Sequence, residues 1–291
     1  MKLDGFNEYG TLKSVAVRTP LKAYVSDENI AAEWQHLRFH SKPDKEAALR
    51  EHEAFVGQLK AAGSDVIELE GDESLTLDAL YARDALLVSA KGLILCNMGR
   101  AGRNAEPAVN ARQLEKLGYP VAGQIEAPGT IEGGDLIWIT HSALAVGCGP
   151  RTNGEGIWQL KKLLGPDVEV RTVPLPAPSH PEDVFHLMSM ISPLDRDLAL
   201  IYRPLMPDGF IDWLASKGIS FVEVPEEEFI PMGCNVLALG PRDVLMLDNL
   251  PKTRAQLEAA GCRVQTYKGD EISRKGEGGP TCLTRPLVRG A

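Results

Sequence analysis

The chain has 291 residues, 44% of them hydrophobic, and a formal net charge of −9. That length and apolar content suffice for a full core, as one large domain or two small ones. An acidic chain without a basic patch argues against nucleic acid or an anionic membrane as partner, and no apolar run nears the ~20 residues that span a bilayer. The first eight residues, Met1 to Glu8, lack the apolar stretch of a secretory signal, so a cytoplasmic protein is expected. Five cysteines (Cys96, Cys148, Cys234, Cys262 and Cys282) are odd in number and scattered, with no Cys-x-x-Cys. They point to reduced thiols, not to a disulfide scaffold or a zinc site.

In chain order, Leu12–Arg18 reads as a strand. The segment Glu33–Asp44, with Trp34, Phe39 and Pro43, is either a lid or an ordinary surface loop. A helix over Lys45–Ala62 ends at Gly63, and a strand follows at Asp65–Leu69. From Asp84 one order then recurs four times: a hairpin, a helix closed by glycine, and a strand. The first copy has strands Ala85–Ser89 and Gly92–Asn97, a helix from Glu106 to Leu117, Gly118, and a strand near Val121–Glu126. The second has Leu136–Thr140, Leu144–Cys148, a helix near Gly154–Leu164, Gly165, and Val168–Pro174. The third has His186–Ser192, Leu198–Arg203, a helix near Gly209–Lys217, Gly218, and Ile219–Val224. The fourth has Asn235–Leu239, Val244–Asp248, a helix over Pro251–Ala260, Gly261, and Arg263–Tyr267. Proline at a helix start and glycine past its end are consistent punctuation.

The last strand, Cys282–Val288, stands alone. Paired with Leu12–Arg18 it supplies the hairpin of a fifth unit, which the first helix and strand complete; splitting a unit between the termini would close a ring and hide its edges. The expected fold is α/β, a pseudo-fivefold α/β propeller of five hairpin–helix–strand units in one domain over residues 1–291. A doubly wound sheet is the alternative, with less reason for hairpins between its helices.

Chemistry-bearing residues stand at the heads of these units: Asp84 after Tyr81-Ala82-Arg83, Glu132 and Asp135 in Glu-Gly-Gly-Asp, His186 in Phe-His-Leu, Asn235, and Cys282 after Gly278-Gly279-Pro280-Thr281. Asp84 to Asp135 is 51 residues, Asp135 to His186 is 51, His186 to Asn235 is 49, and Asn235 to Cys282 is 47. Ring closure would gather a nucleophile, an acid/base and anions for a cationic substrate in one pocket. Alternation along a strand turns Asp84 inward and Arg83 away.

These residues carry a resemblance. Pro128-Gly129-Thr130-Ile131-Glu132-Gly133-Gly134-Asp135, then Arg151-Thr152-Asn153, then the late Gly-Gly-x-x-Cys, together resemble the guanidino-group-modifying superfamily. That superfamily includes arginine deiminase, dimethylarginine dimethylaminohydrolase and glycine amidinotransferase, and its fivefold α/β propeller (pentein) matches the unit count. The resemblance implies that Asp84 grips the guanidinium, that Glu132 grips it and shuttles protons, that His186 is the acid/base and that Cys282 is the nucleophile. Arg103 and Arg151 would hold an amino-acid carboxylate. Asp78, Asp135 and Asn235 complete the expected substrate-binding set.

One position departs from the pattern. Arginine deiminases read His-Leu-Asp and dimethylarginine hydrolases His-Leu-Lys, whereas this chain has Met188. An apolar residue there removes an anion from the clamp and leaves room for an alkylated guanidine, which ranks dimethylarginine-hydrolase-like cleavage above deimination. A delocalised guanidinium is a poor electrophile, so attack needs a thiolate. A neighbouring cation favours that thiolate. One imidazole can protonate the leaving amine and then activate water. No metal or organic cofactor is required. The expected partner is a small cationic guanidino substrate, with a homodimer as candidate assembly.

Each residue also has a blander role. Cys96, Cys148, Cys234 and Cys262 read as core or strand-end positions. His180, in a loop after Pro176-Ala177-Pro178-Ser179, rivals His186. His36 and His40 have helical metal-ligand spacing but no third ligand. The functional alternatives are an amidinotransferase using the same intermediate, an arginine deiminase, and a non-enzymatic binding propeller.

Overall fold

The computed structural model describes residues 7–177 and 185–290; His180 lies outside them. Within these residues fifteen strands form five separate three-stranded sheets, which sets aside the doubly wound alternative. They are β1 (Leu12–Val17) and β2 (Asp65–Glu68); β3 (Leu86–Ser89), β4 (Gly92–Leu95) and β5 (Val121–Gln124); β6 (Leu136–Thr140), β7 (Ala143–Cys148) and β8 (Glu169–Pro174); β9 (Ile191–Asp195), β10 (Leu198–Ile201) and β11 (Ser220–Glu223); β12 (Leu237–Gly240), β13 (Asp243–Leu247) and β14 (Arg263–Tyr267); and β15 (Arg285–Arg289). β15 returns to pair with β1, so the first sheet draws on both ends of the chain.

Every sheet has one plan. The middle strand pairs antiparallel with its hairpin partner and parallel with the strand that follows the helix. A parallel pair needs a crossover, and the helices Lys45–Ala61, Glu106–Lys116, Gly154–Leu164, Asp208–Ser216 and Pro251–Ala259 supply it. Each is followed by a glycine with φ between +79° and +89°, at 63, 118, 165, 218 and 261. This left-handed conformation satisfies the last helical carbonyls and costs glycine little. The middle strands read as apolar runs because both their faces are covered: all of Leu198–Ile201 is buried.

The strand starts differ from the sequence reading in a way that matters for the site. His186 was expected to open a strand; it precedes a 3-10 turn, Leu187–Ser189, and β9 begins only at Ile191. Glu132 likewise precedes the 3-10 turn Gly133–Asp135 ahead of β6. Cys282 lies in a turn three residues before β15, where the Leu283 N–H donates to the Gly279 carbonyl. The chemistry-bearing side chains therefore stand on turns before the first strands. A local turn aims one side chain freely, whereas a ladder fixes alternation.

The helix Pro251–Ala259 is capped from outside itself. Its N-cap, Leu250, offers no polar side chain. Buried Glu228 substitutes, its two oxygens accepting the Lys252 and Thr253 N–H groups at 2.9 and 2.7 Å. Glu228→Ala is expected to cost about 1–2 kcal/mol, and Glu228→Gln less, read as lowered urea midpoints with an unchanged m-value.

Candidate active site

Side chains from several units converge on one cavity. Ligand-type atoms of Asp84, Glu132 and His186 all lie within 4.8 Å of one another, and all three residues are buried. His186 Nε2 is 2.8 Å from Glu132 Oε2, and its Nδ1 is 4.0 Å from Asp84 Oδ1. The Gly134 N–H donates to Asp84 Oδ1 at 2.9 Å. A Cβ at Gly134 would stand 2.6 Å from the imidazole, so only glycine permits this approach. That is why the Glu-Gly-Gly-Asp stretch carries glycine between its acids.

Cys282 faces the same space. Its Sγ is 3.4 Å from Asn235 Nδ2, while Asn235 Oδ1 accepts the Thr281 N–H and hydroxyl at 3.0 and 2.9 Å. Arg83 holds the backbone from behind, its N–H on the Cys282 carbonyl and its Nε on the Thr281 carbonyl. A cavity of about 350 Å³, including its mouth, is lined by Asp78, Tyr81, Asp84, Arg100, Arg103, Arg151, His186, Gly276, Glu277, Gly278 and Cys282. A larger cleft of about 1430 Å³, open to solvent, meets it at His186, Glu277 and Cys282. Phe185, Met188, Leu205, Phe229 and Met232 give that cleft an apolar wall.

Three expected contacts differ in place. Asp135 does not line the cavity; it is fully buried behind it, where Oδ1 accepts the Leu187 N–H at 2.9 Å. It steadies the turn after His186, and burial pushes its carboxyl up to about 6. Glu132 is also fully buried, and its carboxylate reaches the cavity through His186, Arg151 and the Arg100 N–H. Arg103 lines the cavity, yet its guanidinium is engaged with Asp84 at 2.5 Å, Glu106 at 2.7 and 2.8 Å, and the Tyr81 carbonyl. Arg151 donates through Nη1 to Glu132, and its buried Nη2 has no partner among the described residues. Asp78, Asp84, Arg151, His186 and Cys282 line the cavity, and Asn235 lines the adjoining cleft.

Sequence reading missed four contributors. Glu106, three residues past Arg103 at the start of a helix, pairs with it in the interior. Its i, i+3 spacing was the available signal. Arg100 donates to Asp78 Oδ2 at 2.8 Å and, through its N–H, to Glu132 Oε1. Thr152 accepts the Glu132 N–H, and Tyr81 walls the glycine run. The segment Glu33–Asp44 packs at the rim: Phe39 stacks on Tyr81, the Leu37 carbonyl accepts from Arg100, and the His40 N–H donates to the Lys275 carbonyl. His36 and His40 have separate partners, Ala32 O and Glu277.

The electrostatics follow from burial among paired charges. Burial opposes the imidazolium of His186, but Asp84, Asp135 and Glu132 outweigh it and push the pKa up to about 9. Burial would raise the Glu132 carboxyl, but the hydrogen bond and charge of His186, with Arg151, hold it well below the carboxylate range. The pair is an ion pair. Burial and then the Asp84 carboxylate push the Cys282 thiol up, against smaller help from Asn235 and Thr281. The Asp84–Glu132–His186 group has metal-ligand geometry, but Arg103 and Arg151 already neutralise its carboxylates. A divalent cation would have to displace both guanidiniums.

Comparison with known proteins places this geometry. The family model for N,N dimethylarginine dimethylhydrolase, eukaryotic, matches residues 24–289. The chain is 27% identical over 273 residues to N(G),N(G)-dimethylarginine dimethylaminohydrolase of Pseudomonas aeruginosa, covering 94% of this chain and 98% of that one. It is 29% identical over 285 residues to an uncharacterized protein, YkgA, of Bacillus subtilis, covering 97% and 94%. A Pseudomonas aeruginosa dimethylarginine dimethylaminohydrolase structure, a cysteine-to-serine mutant complexed with citrulline, superposes with a TM-score of 0.77 at 26% identity, covering 96% of this chain and all of that one. An amidinotransferase from Microseira wollei shares the fold, with a TM-score of 0.81 at 16% identity over 100% and 98% of the chains.

Because its imidazolium is held by carboxylates, His186 is expected to titrate near 9 by NMR, and Glu132→Gln to move the midpoint down toward the ordinary 6.5. The folded pKa of His186 is the raised one, so its share of the pair's stabilisation is complete below about pH 6.5 and is lost as pH rises through about 9, whereas the share of Glu132, whose carboxyl is held down, is lost only in acid. A wild-type midpoint at or below 6.5 would remove the ion-pair assignment. The matched span, the glycine-permitted cluster and the cavity-facing thiol agree: the chain belongs to the dimethylarginine dimethylhydrolase family, whose members are hydrolases of the dimethylargininase and arginine deiminase type.

Proposed function

We propose that the chain cleaves a C–N bond of the guanidinium of an N-substituted arginine through a covalent thiouronium on Cys282, giving citrulline and an amine. The observation that carries this reading is the meeting of thiol and imidazolium at one cavity, with carboxylates beside and beneath it. The proposal includes closure of the five sheets into a ring acting as one domain. Two central cavities support closure, since residues of β3, β6, β9, β12 and β15, the first strand of each hairpin, line them.

The sequence of events follows from the charges. At rest the thiol is neutral, because burial and Asp84 oppose its anion. A bound guanidinium compensates Asp84 and makes the thiolate favourable, its proton leaving to solvent. Sγ attacks the guanidinium carbon; His186, already protonated, gives its proton to the departing nitrogen as the C–N bond breaks. The neutral imidazole then takes a proton from water, whose oxygen attacks the thiouronium carbon. Collapse breaks the C–S bond as the remaining hydroxyl proton passes to solvent, leaving a ureido product, the thiolate and a reprotonated His186. Glu132 keeps His186 charged for the first step and stabilises it again after the second.

Met188 and the apolar cleft favour a substituted guanidine over arginine. The leaving nitrogen has an apolar wall on the Met188 side, which suits alkyl groups better than two N–H donors. The unpartnered Nη2 of Arg151 suits an amino-acid carboxylate.

The test is citrulline formation from arginine, monomethylarginine, asymmetric dimethylarginine and agmatine. Methylated arginines are expected to be preferred, with citrulline released without an acceptor amine, which separates hydrolysis from amidino transfer. Cys282→Ser should lower kcat at least about 10³-fold and His186→Ala about 10²–10⁴-fold. Met188→Asp should shift preference toward arginine. Clear preference of the wild type for arginine would overturn the Met188 reading, and agmatine used as well as arginine would overturn the carboxylate role of Arg151.

A further inference from the structure

Away from the thiol lie two adjoining cavities of about 290 and 230 Å³, including their mouths; both are lined by Glu8, and neither shares a lining residue with the cavity that holds Cys282 and Asp84. Three arginines border them: Arg285 and Arg289 the first, Arg83 the second. All three are at most 3% exposed. Their acidic partner in the linings is Glu8, which takes Arg83 Nη1 at 3.1 Å. The other satisfied donors go to neutral carbonyls: Arg83 Nε to Thr281, Arg285 Nη1 to Leu86 at 2.5 Å and Arg83 at 3.5 Å, and Arg289 Nη1 to Gly10 and Ala238.

Four buried donors remain. Arg83 Nη2, Arg285 Nε, and Arg289 Nε and Nη2 have no partner among the described residues. A buried N–H without an acceptor is costly, and a buried charge without a counter-charge more so. Among the described residues lining these cavities, three guanidiniums thus face one carboxylate. Arginine has little recourse to deprotonation, so the missing component is negative charge. Burial, then repulsion from Arg83, pushes Arg285 down to about 9, and burial pushes Arg289 down to about 10, the direction expected where positive charge is under-compensated. The remaining lining of the first cavity is largely apolar: Leu87, Val88, Trp138, Pro286 and Leu287. Such walls disfavour a strongly hydrated dianion.

We propose that this arginine-lined cavity binds a small, weakly hydrated monoanion such as chloride, nitrate or formate between Arg285 and Arg289. The site is independent of the proposed reaction. Arg83 still links the two regions, because its guanidinium and its N–H hold the Thr281 and Cys282 carbonyls.

The test is thermal unfolding of the full chain at constant ionic strength, with chloride replacing gluconate, which is too large for the cavity. The expected result is a saturable rise in Tm with chloride, reproduced by nitrate and formate. Glu8→Gln, which removes the competing carboxylate, should move the midpoint to about tenfold lower chloride. Arg289→Gln should abolish the chloride-specific rise; if it does not fold, Glu8→Gln decides. Superimposable Tm curves in chloride and gluconate, or a Glu8→Gln midpoint that does not move, overturn the proposal. An anomalous bromide peak between Arg285 and Arg289 in crystals supports it, and bromide at surface positions alone overturns it.

Discussion

The 2.8 Å contact between His186 Nε2 and Glu132 Oε2 is the interaction on which the candidate site depends. Neither group is stable in the interior alone, since burial pushes the imidazole toward neutrality and the carboxyl toward protonation. Together they remain charged, and around them charge alternates: Arg151 on Glu132, Asp84 near His186, Arg103 on Asp84, and Glu106 on Arg103. Breaking such a chain by removing one member leaves an uncompensated buried charge, so each member constrains the next. The turns ahead of β3, β6 and β9 deliver Asp84, Glu132 and His186 to that chain. Burial supplies the rigidity, and the turns supply the aim.

The fold was legible because its punctuation is local. Hairpin turns, glycine after each helix and apolar runs of strand length recur with a period near 50 residues, and the five sheets follow that period. Pairing of β15 with β1 was readable because the C-terminal strand lacked any other partner. Strand starts were read too early at His186 and Cys282. An apolar stretch such as Leu187-Met188-Ser189 has no period that separates a 3-10 turn from a strand.

The site was legible in its types and less so in its partners. Asp84, His186 and Cys282 each head a repeat, and the structure brings all three to one cavity. Arg103 was read as an anion holder because nothing in one sequence says that Glu106 and Asp84 already occupy it. Asp135 has the same repeat position as the others, but its side chain turns to the Leu187 N–H. Register gives the place of a residue, not the direction in which it is spent. The buried arginines escaped notice for a related reason: Arg83, Arg285 and Arg289 look like ordinary surface charges until pairing of β15 with β1 and the packing around it bury them.

The resting state of the thiol gives the proposed reaction its selectivity. A cysteine already ionised in a cavity of this size would meet any electrophile that entered, whereas burial and Asp84 keep this one protonated. Only a ligand that neutralises Asp84 lowers the cost of the thiolate, and a planar cation does so while placing its carbon against Sγ. Recognition and activation thus become one event. The same logic explains why an apolar neighbour at Met188 is tolerated. A second anion there would tighten the grip on the guanidinium, but it would also raise the thiol further by adding negative charge nearby. In the proposed reaction, leaving that position apolar would give up one contact to unsubstituted nitrogen, leave the thiol easier to ionise, and let a substituted nitrogen face the cleft lined by Phe185, Leu205 and Phe229.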